Sequence, residues 1–302
     1  MSRASSFRSR FLRIFFSPRE RRLRAGWRIL LQLLLVGVLL AVLGLVLHPL
    51  LRQVKLSEDI ELLCTYTIWA LVVTVSVFLT RRYLDRRTFV SLGLRWNRQA
   101  MLDLLFGFGL AGFLMALIYG IEWAAGWLKF EGFAWQQLPL STVLLRSFLG
   151  LLSVGVVVSW LEELSDRGYL LQNLKDGLNL PWALFLSSTV FAARHLGNPN
   201  ATWISTLGIF LAGFFLAYGW VRTRQLWISL GLHTGWNFFE GIVFGFPVSG
   251  LQSFRLIQQS DSGPEWITGG AFGPEAGSIL ILAMALGMIL IHYWSRGRLR
   301  SY

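Results

Sequence analysis

Residues 29–47 read ILLQLLLVGVLLAVLGLVL, an apolar stretch without a charged side chain. At about 1.5 Å per residue, a helix of this length crosses the roughly 30 Å hydrocarbon core of a bilayer. Nine Arg precede it, and it is longer than the apolar core of a cleaved signal peptide, about 7–15 residues, with no small-residue cleavage site after it. We therefore predict a first membrane span behind a basic tail, residues 1–28.

Further apolar segments near this length follow along the chain. They are 60–80, 104–125, 148–171, 181–196, 203–221, 226–246 and 276–294. The chain is 54% hydrophobic and 15% charged, whereas soluble domains carry about 25% charged residues. A single Cys excludes an intrachain disulfide and a Cys-based metal site. The sequence predicts an all-α, polytopic membrane helix bundle of about eight transmembrane helices.

The 28 Lys and Arg residues predict the topology of this bundle. If the N-terminus is cytoplasmic, 21 of them fall in cytoplasmic segments and four in outer loops, as the positive-inside rule requires. The same rule explains the net charge of +12, so we expect a lipid bilayer and no nucleic acid as partner. The prediction is a multi-pass protein of the cell (cytoplasmic) membrane with both termini cytoplasmic.

No internal repeat or long soluble segment divides the chain, which we treat as one membrane domain. Two amphipathic pieces, 88–102 and 136–147, are predicted to lie along the membrane interface. After the tail, the predicted parts are N-terminal helices and interfacial segments (29–147), a core (148–246), an outer loop (247–275), and a last helix with a basic tail (276–302).

Three predicted spans contain polar residues that a membrane helix avoids. A charge at the bilayer centre costs at least about 2.5–3.5 kcal/mol, so such residues are functional candidates. The clusters are Glu162-Glu163-Leu164-Ser165-Asp166-Arg167, then Phe191-Ala192-Ala193-Arg194-His195, then His233-Thr234-Gly235-Trp236-Asn237. Carboxylate, imidazole and amide groups are typical of acid–base or metal chemistry.

Each cluster also has a structural explanation. Glu163 and Arg167 are i,i+4 neighbours and can form a buried ion pair, whereas Glu162 points about 100° away. A lone His in a span, such as His292, is usually hydrogen-bonded or interfacial. Three unrelated spans that each carry such groups favour a shared site over three separate structural roles.

The order Glu162-Glu163-x-x-x-Arg167, Phe191-x-x-x-His195 and His233-x-x-x-Asn237 resembles the CAAX-processing and bacteriocin-processing (CPBP, or Abi) intramembrane endopeptidases, which include the type II CAAX prenyl proteases. The resemblance covers roughly residues 148–246. The flanking stretches HLGNPN (195–200) and FGFPVSG (244–250) look like bacterial members.

The resemblance implies that Glu162 activates a water with help from His195, while His233 and Asn237 hold the oxyanion of the tetrahedral intermediate. Glu163 and Arg167 would hold the helix and the base in place. The substrate implied is a membrane-embedded or lipidated peptide. No cofactor is required in this mechanism.

A metal site is the alternative for the same residues. Glu162, His195 and His233 could bind zinc with an open position. We favour water activation without metal, because no H-E-x-x-H motif is present and Asn237 suits an oxyanion role better than zinc coordination.

This chain departs from the family pattern at Asp166 and Arg194, where apolar, small or aromatic residues are usual. Opposite charges on neighbouring helices would offset part of each other's cost, so we predict that they pair. Two other functions stay open: a non-catalytic scaffold or immunity protein that keeps the fold, and a transporter with a proton relay, which the lack of repeats disfavours.

Overall fold

The computed structural model describes residues 14–17, 22–51 and 55–297, which form a bundle of helices. Helices suit these apolar runs because a helix satisfies its own backbone hydrogen bonds where water is absent. In chain order they are α1 (Ala25–Leu51), α2 (Glu58–Tyr83), α3 (Arg98–Ala124), α4 (Leu140–Gly177), α5 (Leu180–Arg194), α6 (Trp203–Thr223), α7 (Trp227–Asn237), α8 (Glu265–Thr268) and α9 (Ile279–Trp294).

All eight predicted apolar segments are helical. Five helices are long and apolar enough to cross a membrane: Ala25–Val46 within α1, and α2, α3, α4 and α6. The other three are shorter, since α5 and α9 have 15 and 16 residues and α7 has 11, followed by the π-helical turn Phe238–Val243. The helical class is confirmed, and five spans meet the length criterion in the described part of the chain.

Two small antiparallel sheets were not predicted. β1 (Phe16–Ser17) pairs with β2 (Arg22–Leu23), and β3 (Leu128–Phe133) pairs with β4 (Ile257–Asp261). β4 lies inside the segment predicted only as an outer loop, 247–275. Its pairing with β3 ties that loop to the end of α3.

The two predicted interfacial pieces do not form separate helices. Residues from Leu140 onward belong to α4, and Arg146 on its first turns forms an ion pair with Asp59 of α2 at 2.7 Å. The charge that suggested an interfacial helix therefore pairs within the bundle. In the other piece, a 3₁₀ turn (Phe89–Leu92) is followed by α3, which begins after Asn97 caps it.

Most of the predicted basic tail lies outside the described residues, namely 1–13 and 18–21, as do 298–302 at the other end. The rest of the tail forms β1, β2 and the beginning of α1. Arg22 and Arg28 there are buried.

α3 and α7 pack with their backbones close together. A Cβ on Gly231 would collide with the Leu104 carbonyl, and one on Gly235 would lie 2.7 Å from the Phe108 carbonyl oxygen. Small residues allow such an approach between helices. Gly231 and Gly235 share one face of α7, so His233, two residues from each, projects away from α3 and toward α4.

Candidate active site

A cavity of about 530 Å³ lies among the helices, and the predicted site residues are in or beside its wall. Glu162 comes from α4, His233 and Asn237 come from α7, and His195 directly follows α5. Apolar side chains from α1, α2 and α6 form much of the remaining wall. The three polar clusters of the sequence therefore meet at one cavity.

α4 is irregular where it carries the two glutamates. π-helical turns at Leu151–Val157 and Leu164–Leu170 flank the α-helical stretch Val158–Glu163. Such turns occur frequently at functional sites. The Glu162 side chain is 19% exposed and lines the cavity, whereas Glu163 is completely buried.

His233 lies between the two glutamates. Its Nδ1 is 2.9 Å from Oε1 of Glu163, and its Nε2 is 3.7 Å from Oε2 of Glu162. A carboxylate only accepts hydrogen bonds, so Nδ1 carries a hydrogen in this arrangement. Glu163 thus fixes the ring, and Nε2 points toward the cavity carboxylate.

The predicted Glu163–Arg167 ion pair is confirmed, with Nη1 of Arg167 2.9 Å from Oε1 of Glu163. Arg167 also donates to the carbonyl of Gly213 on α6 at 3.3 Å. Its guanidinium lies over the ring of Phe191 on α5, 4.2 Å from the centroid. This one cation therefore connects α4, α5 and α6 behind the cavity.

His195 occupies the C-terminal cap of α5, one residue beyond the last helical residue. Its Nδ1 lies 2.8 Å from the carbonyl oxygen of Phe191. A carbonyl only accepts, so Nδ1 carries the hydrogen and Nε2 is left with a lone pair. This tautomer suits a base.

Asn237 ends the α-helical part of α7, where the π-helical turn begins. Its Nδ2 donates to the carbonyl of Val154 on α4 at 3.0 Å. An amide nitrogen has two hydrogens, so a second donor remains. The contact with Val154 positions that donor beside His233.

The predicted pairing of Asp166 with Arg194 is confirmed. Arg194 donates to the Asp166 carboxylate from the neighbouring helix α5, and a second nitrogen contacts Oγ of Ser165 at 3.3 Å. The Asp166 side chain is 2% exposed and that of Arg194 is 44% exposed. The bridge therefore has one buried and one accessible end, as expected at the rim of a site.

A zinc site needs three protein ligands at about 2.0–2.2 Å from one point. Glu162 and His233 are close enough to share an ion, and the Nδ1 hydrogen bonds of both histidines leave each Nε2 with a lone pair, so the spacing of the groups decides whether zinc fits. Among the described residues no group of three or more His, Cys, Asp or Glu side chains could hold a metal ion. The zinc triad does not fit this arrangement, and no step below involves a metal.

Several cavity residues were missed by the sequence reasoning. Ser249 and Glu275 belong to the predicted outer loop and also line the cavity, and Asn198 lines it just beyond His195. The sequence reasoning also overlooked Glu240, which is a completely buried carboxyl. It is an ionisable residue within the predicted span 226–246, so the cost of charge in a membrane span should have identified it. Asn198, Ser249 and Glu275 lie outside the predicted spans, so the same rule could not identify them.

The fold and the cavity define a class of protein: a helical membrane protein, with five membrane-length helices in its described part and a cavity lined by carboxylate, imidazole and amide side chains. Residues 142–239, about a third of the chain, match the model of the family described as "Type II CAAX prenyl endopeptidase Rce1-like". The match confirms the resemblance to the CPBP and CAAX proteases that the three motifs predicted. No curated protein and no solved structure matches the chain significantly.

Proposed function

We propose that this protein is an intramembrane endopeptidase in which Glu162 and His195 activate a water to hydrolyse a peptide bond. The observation that carries the proposal is the cavity, where Glu162, His195, His233 and Asn237 lie together among apolar side chains. In a site poor in water, fixed charges and dipoles act much more strongly than in solution.

In the proposed reaction Glu162 accepts a proton from the water, while Nε2 of His195 orients that water. The resulting hydroxide attacks the carbonyl carbon, and the carbonyl oxygen becomes an oxyanion. Neither oxygen of Glu162 accepts a hydrogen bond from the described residues, so this carboxylate is free to bind water. General base catalysis of this kind contributes about 10²–10⁴-fold.

His233 and Asn237 are the proposed donors to the oxyanion. Because Nδ1 of His233 already carries a hydrogen toward Glu163, donation from Nε2 requires the doubly protonated ring. The free amide hydrogen of Asn237 is the second donor. Removal of one such donor typically costs about 10²–10³-fold in kcat.

The substrate we propose is a peptide that is embedded in the membrane or carries a lipid, such as the prenyl group of a CAAX sequence. The apolar walls contributed by α1 and α2, among them Leu40 and Trp69, support this class. We further propose that the protein is a multi-pass protein of the cytoplasmic membrane, with eight crossings and both termini in the cytoplasm. The arginine distribution of the sequence supports that topology.

The test is cleavage of a peptide library, with and without prenyl groups, by the full chain in lipid vesicles. We expect wild type to cut and Glu162→Gln not to cut. The control is Glu122→Gln, which changes a completely buried glutamate on α3 away from the cavity lining. Equal activity of Glu162→Gln and wild type would refute the mechanism, and an inactive wild type would favour a scaffold or immunity protein.

A further inference from the structure

The cavity has a second polar side, which the proposed reaction does not use. Ser249 and Glu275 line it from the segment between α7 and α9. The Ser249 hydroxyl donates to Oε2 of Glu275, and the backbone of Ser249 also hydrogen-bonds to the Glu275 carboxyl. These contacts hold the Glu275 carboxyl in the cavity wall.

The backbone that carries Ser249 is held in an unusual conformation. Ser249 has φ +48°, in the left-handed region that non-glycine residues rarely adopt. Nδ2 of Asn198 donates to its carbonyl at 2.9 Å, and Gly250 N donates to the Phe272 carbonyl at 2.8 Å. Backbone strain of this kind persists where surrounding contacts enforce it, often at functional sites.

These contacts explain the two flanking stretches that the catalytic motifs left without a role. Asn198 belongs to HLGNPN (195–200), which begins with His195, and Ser249 belongs to FGFPVSG (244–250). A chain of contacts thus runs from the residues after His195 through Asn198 and Ser249 to Glu275.

A second carboxyl lies near Glu275. Glu240 is completely buried, and neither of its oxygens has a partner at normal hydrogen-bond geometry in the described residues, although the Trp236 side chain lies near its carboxyl. The groups within electrostatic range of Glu275 are Glu240, His195 and His233. Burial raises the pKa of Glu275, and two neighbouring buried carboxyls cannot easily both be ionised. The pair therefore favours one shared proton, and Glu275 is the member of the pair that lines the cavity.

We propose, on the basis of the proposed function, that Glu275 is a catalytic residue, the general acid that protonates the leaving nitrogen. As the C–N bond of the tetrahedral intermediate breaks, the nitrogen takes the proton from the Glu275 carboxyl. The electron pair of the oxyanion re-forms the carbonyl group. The products are a carboxylic acid and an amine.

The protons gained and lost by the two carboxyl groups of the cavity are equal in number. Glu162 gained one proton from the attacking water, and Glu275 lost one to the amine. Transfer of the first proton to Glu275 through cavity water restores both groups for the next turnover. In this scheme Glu162 is the general base, and Glu275 on a different wall of the cavity is the general acid.

The first test is infrared spectroscopy of the full chain in lipid vesicles at the pH of the protease assay. We expect a carboxylic-acid C=O band that shifts in heavy water and is lost or changed in Glu275→Gln. The Glu122→Gln variant controls for another buried glutamate. Absence of any band sensitive to Glu275 overturns the proposal, whatever the protease assay shows.

The second test compares two substrates with the same acyl peptide, one an amide and one an activated ester whose leaving group needs no proton. Glu275→Gln should lower kcat on the amide by about 10²–10⁴-fold and leave ester hydrolysis close to wild type. An equal loss on both substrates would indicate a structural role and overturn the proposal. Full activity of Glu275→Gln on the amide would also overturn the proposal.

The pH profile adds a further check. A general acid must be protonated, so amide cleavage by wild type should fall as the pH rises through the raised pKa of Glu275. Glu240→Gln removes a like charge and should move that fall to lower pH. A pH profile that does not move in Glu240→Gln contradicts the carboxyl pair.

The outcomes separate this inference from the proposed function. If wild type cuts neither substrate, the proposed function itself fails. If wild type is active and Glu275→Gln is unaffected, only this inference is refuted.

Discussion

The bundle contains two buried charge clusters that differ in how fully their carboxylates are paired. In the first, Asp85 is buried, and its two oxygens accept from Nη1 of Arg28 and Nη1 of Arg81, each at 2.8 Å. In the second, around the cavity, Oε2 of Glu162 is 3.7 Å from His233, and neither oxygen accepts a hydrogen bond from the described residues.

The paired cluster joins several elements of the bundle through charged contacts. Nδ2 of Asn173 on α4 adds a contact to Asp85 at 3.3 Å, and Asp176 pairs with Arg22 at 2.9 Å and with Arg87 at 3.0 Å. α1, α2 and α4 are thus linked by charges that satisfy one another. The difference teaches that, in this bundle, the carboxylate without a hydrogen bond is the one that lines the cavity, whereas the fully paired carboxylate does not.

The largest effect is expected for His195→Ala. Loss of the group that orients the water should lower proteolysis by about 10²–10⁴-fold. Melting in detergent should stay near wild type, because the hydrogen bond of His195 is local to its own helix end. His292→Ala is the control, since that ring contacts the Tyr218 hydroxyl on another face of the bundle. Activity of His195→Ala within tenfold of wild type would contradict the helper role.

Glu163→Ala and Arg167→Ala should lower both stability and activity. Each leaves a buried partner unpaired, which typically costs about 3–5 kcal/mol, and Glu163 also holds the ring of His233. Thermal melting and initial rates on the same samples provide the measurement. If both variants melted like wild type, the pair would not hold the helices together.

A smaller effect is expected at the rim of the cavity. Asp166→Leu and Arg194→Leu should each reduce activity or folding yield, and the double variant should recover much of the loss, with a coupling of about 0.5–3 kcal/mol. Solvent around the accessible end of Arg194 limits that coupling. Additive losses would show that the two charges act separately.

The smallest effect is expected from metal removal. Chelator should leave the rate of cleavage unchanged, because the described residues bring no third metal ligand to Glu162 and His233. A zinc protease assayed in the same buffer provides the control. A rate that falls with chelator and recovers with added zinc would restore the metal mechanism.

The sequence predicted most of this arrangement through the cost of polar groups in apolar spans. That rule located Glu162, His195, His233 and Asn237, and opposite charge alone predicted the contact between Asp166 and Arg194. The long apolar runs likewise predicted every major helix.

The parts that sequence reasoning missed depend on tertiary contacts. The π-helical turns of α4 have no signature in residue type, and the charge of Arg146 suggested an interface because its partner Asp59 is 87 positions away. Ser249 and Glu275 reach the cavity only because the loop 247–275 folds back onto the bundle, with β4 paired to β3.

The most direct test compares Glu162→Gln with Asp85→Asn, measuring both melting temperature and proteolysis per folded molecule. Glu162→Gln should melt like wild type and lose about 10²–10⁴-fold in activity. Asp85→Asn should lose about 3–5 kcal/mol of stability because two buried arginines lose their partner, while each folded molecule still cleaves. A Glu162→Gln protein that is destabilised and still active would contradict the claim that the open carboxylate is the catalytic one.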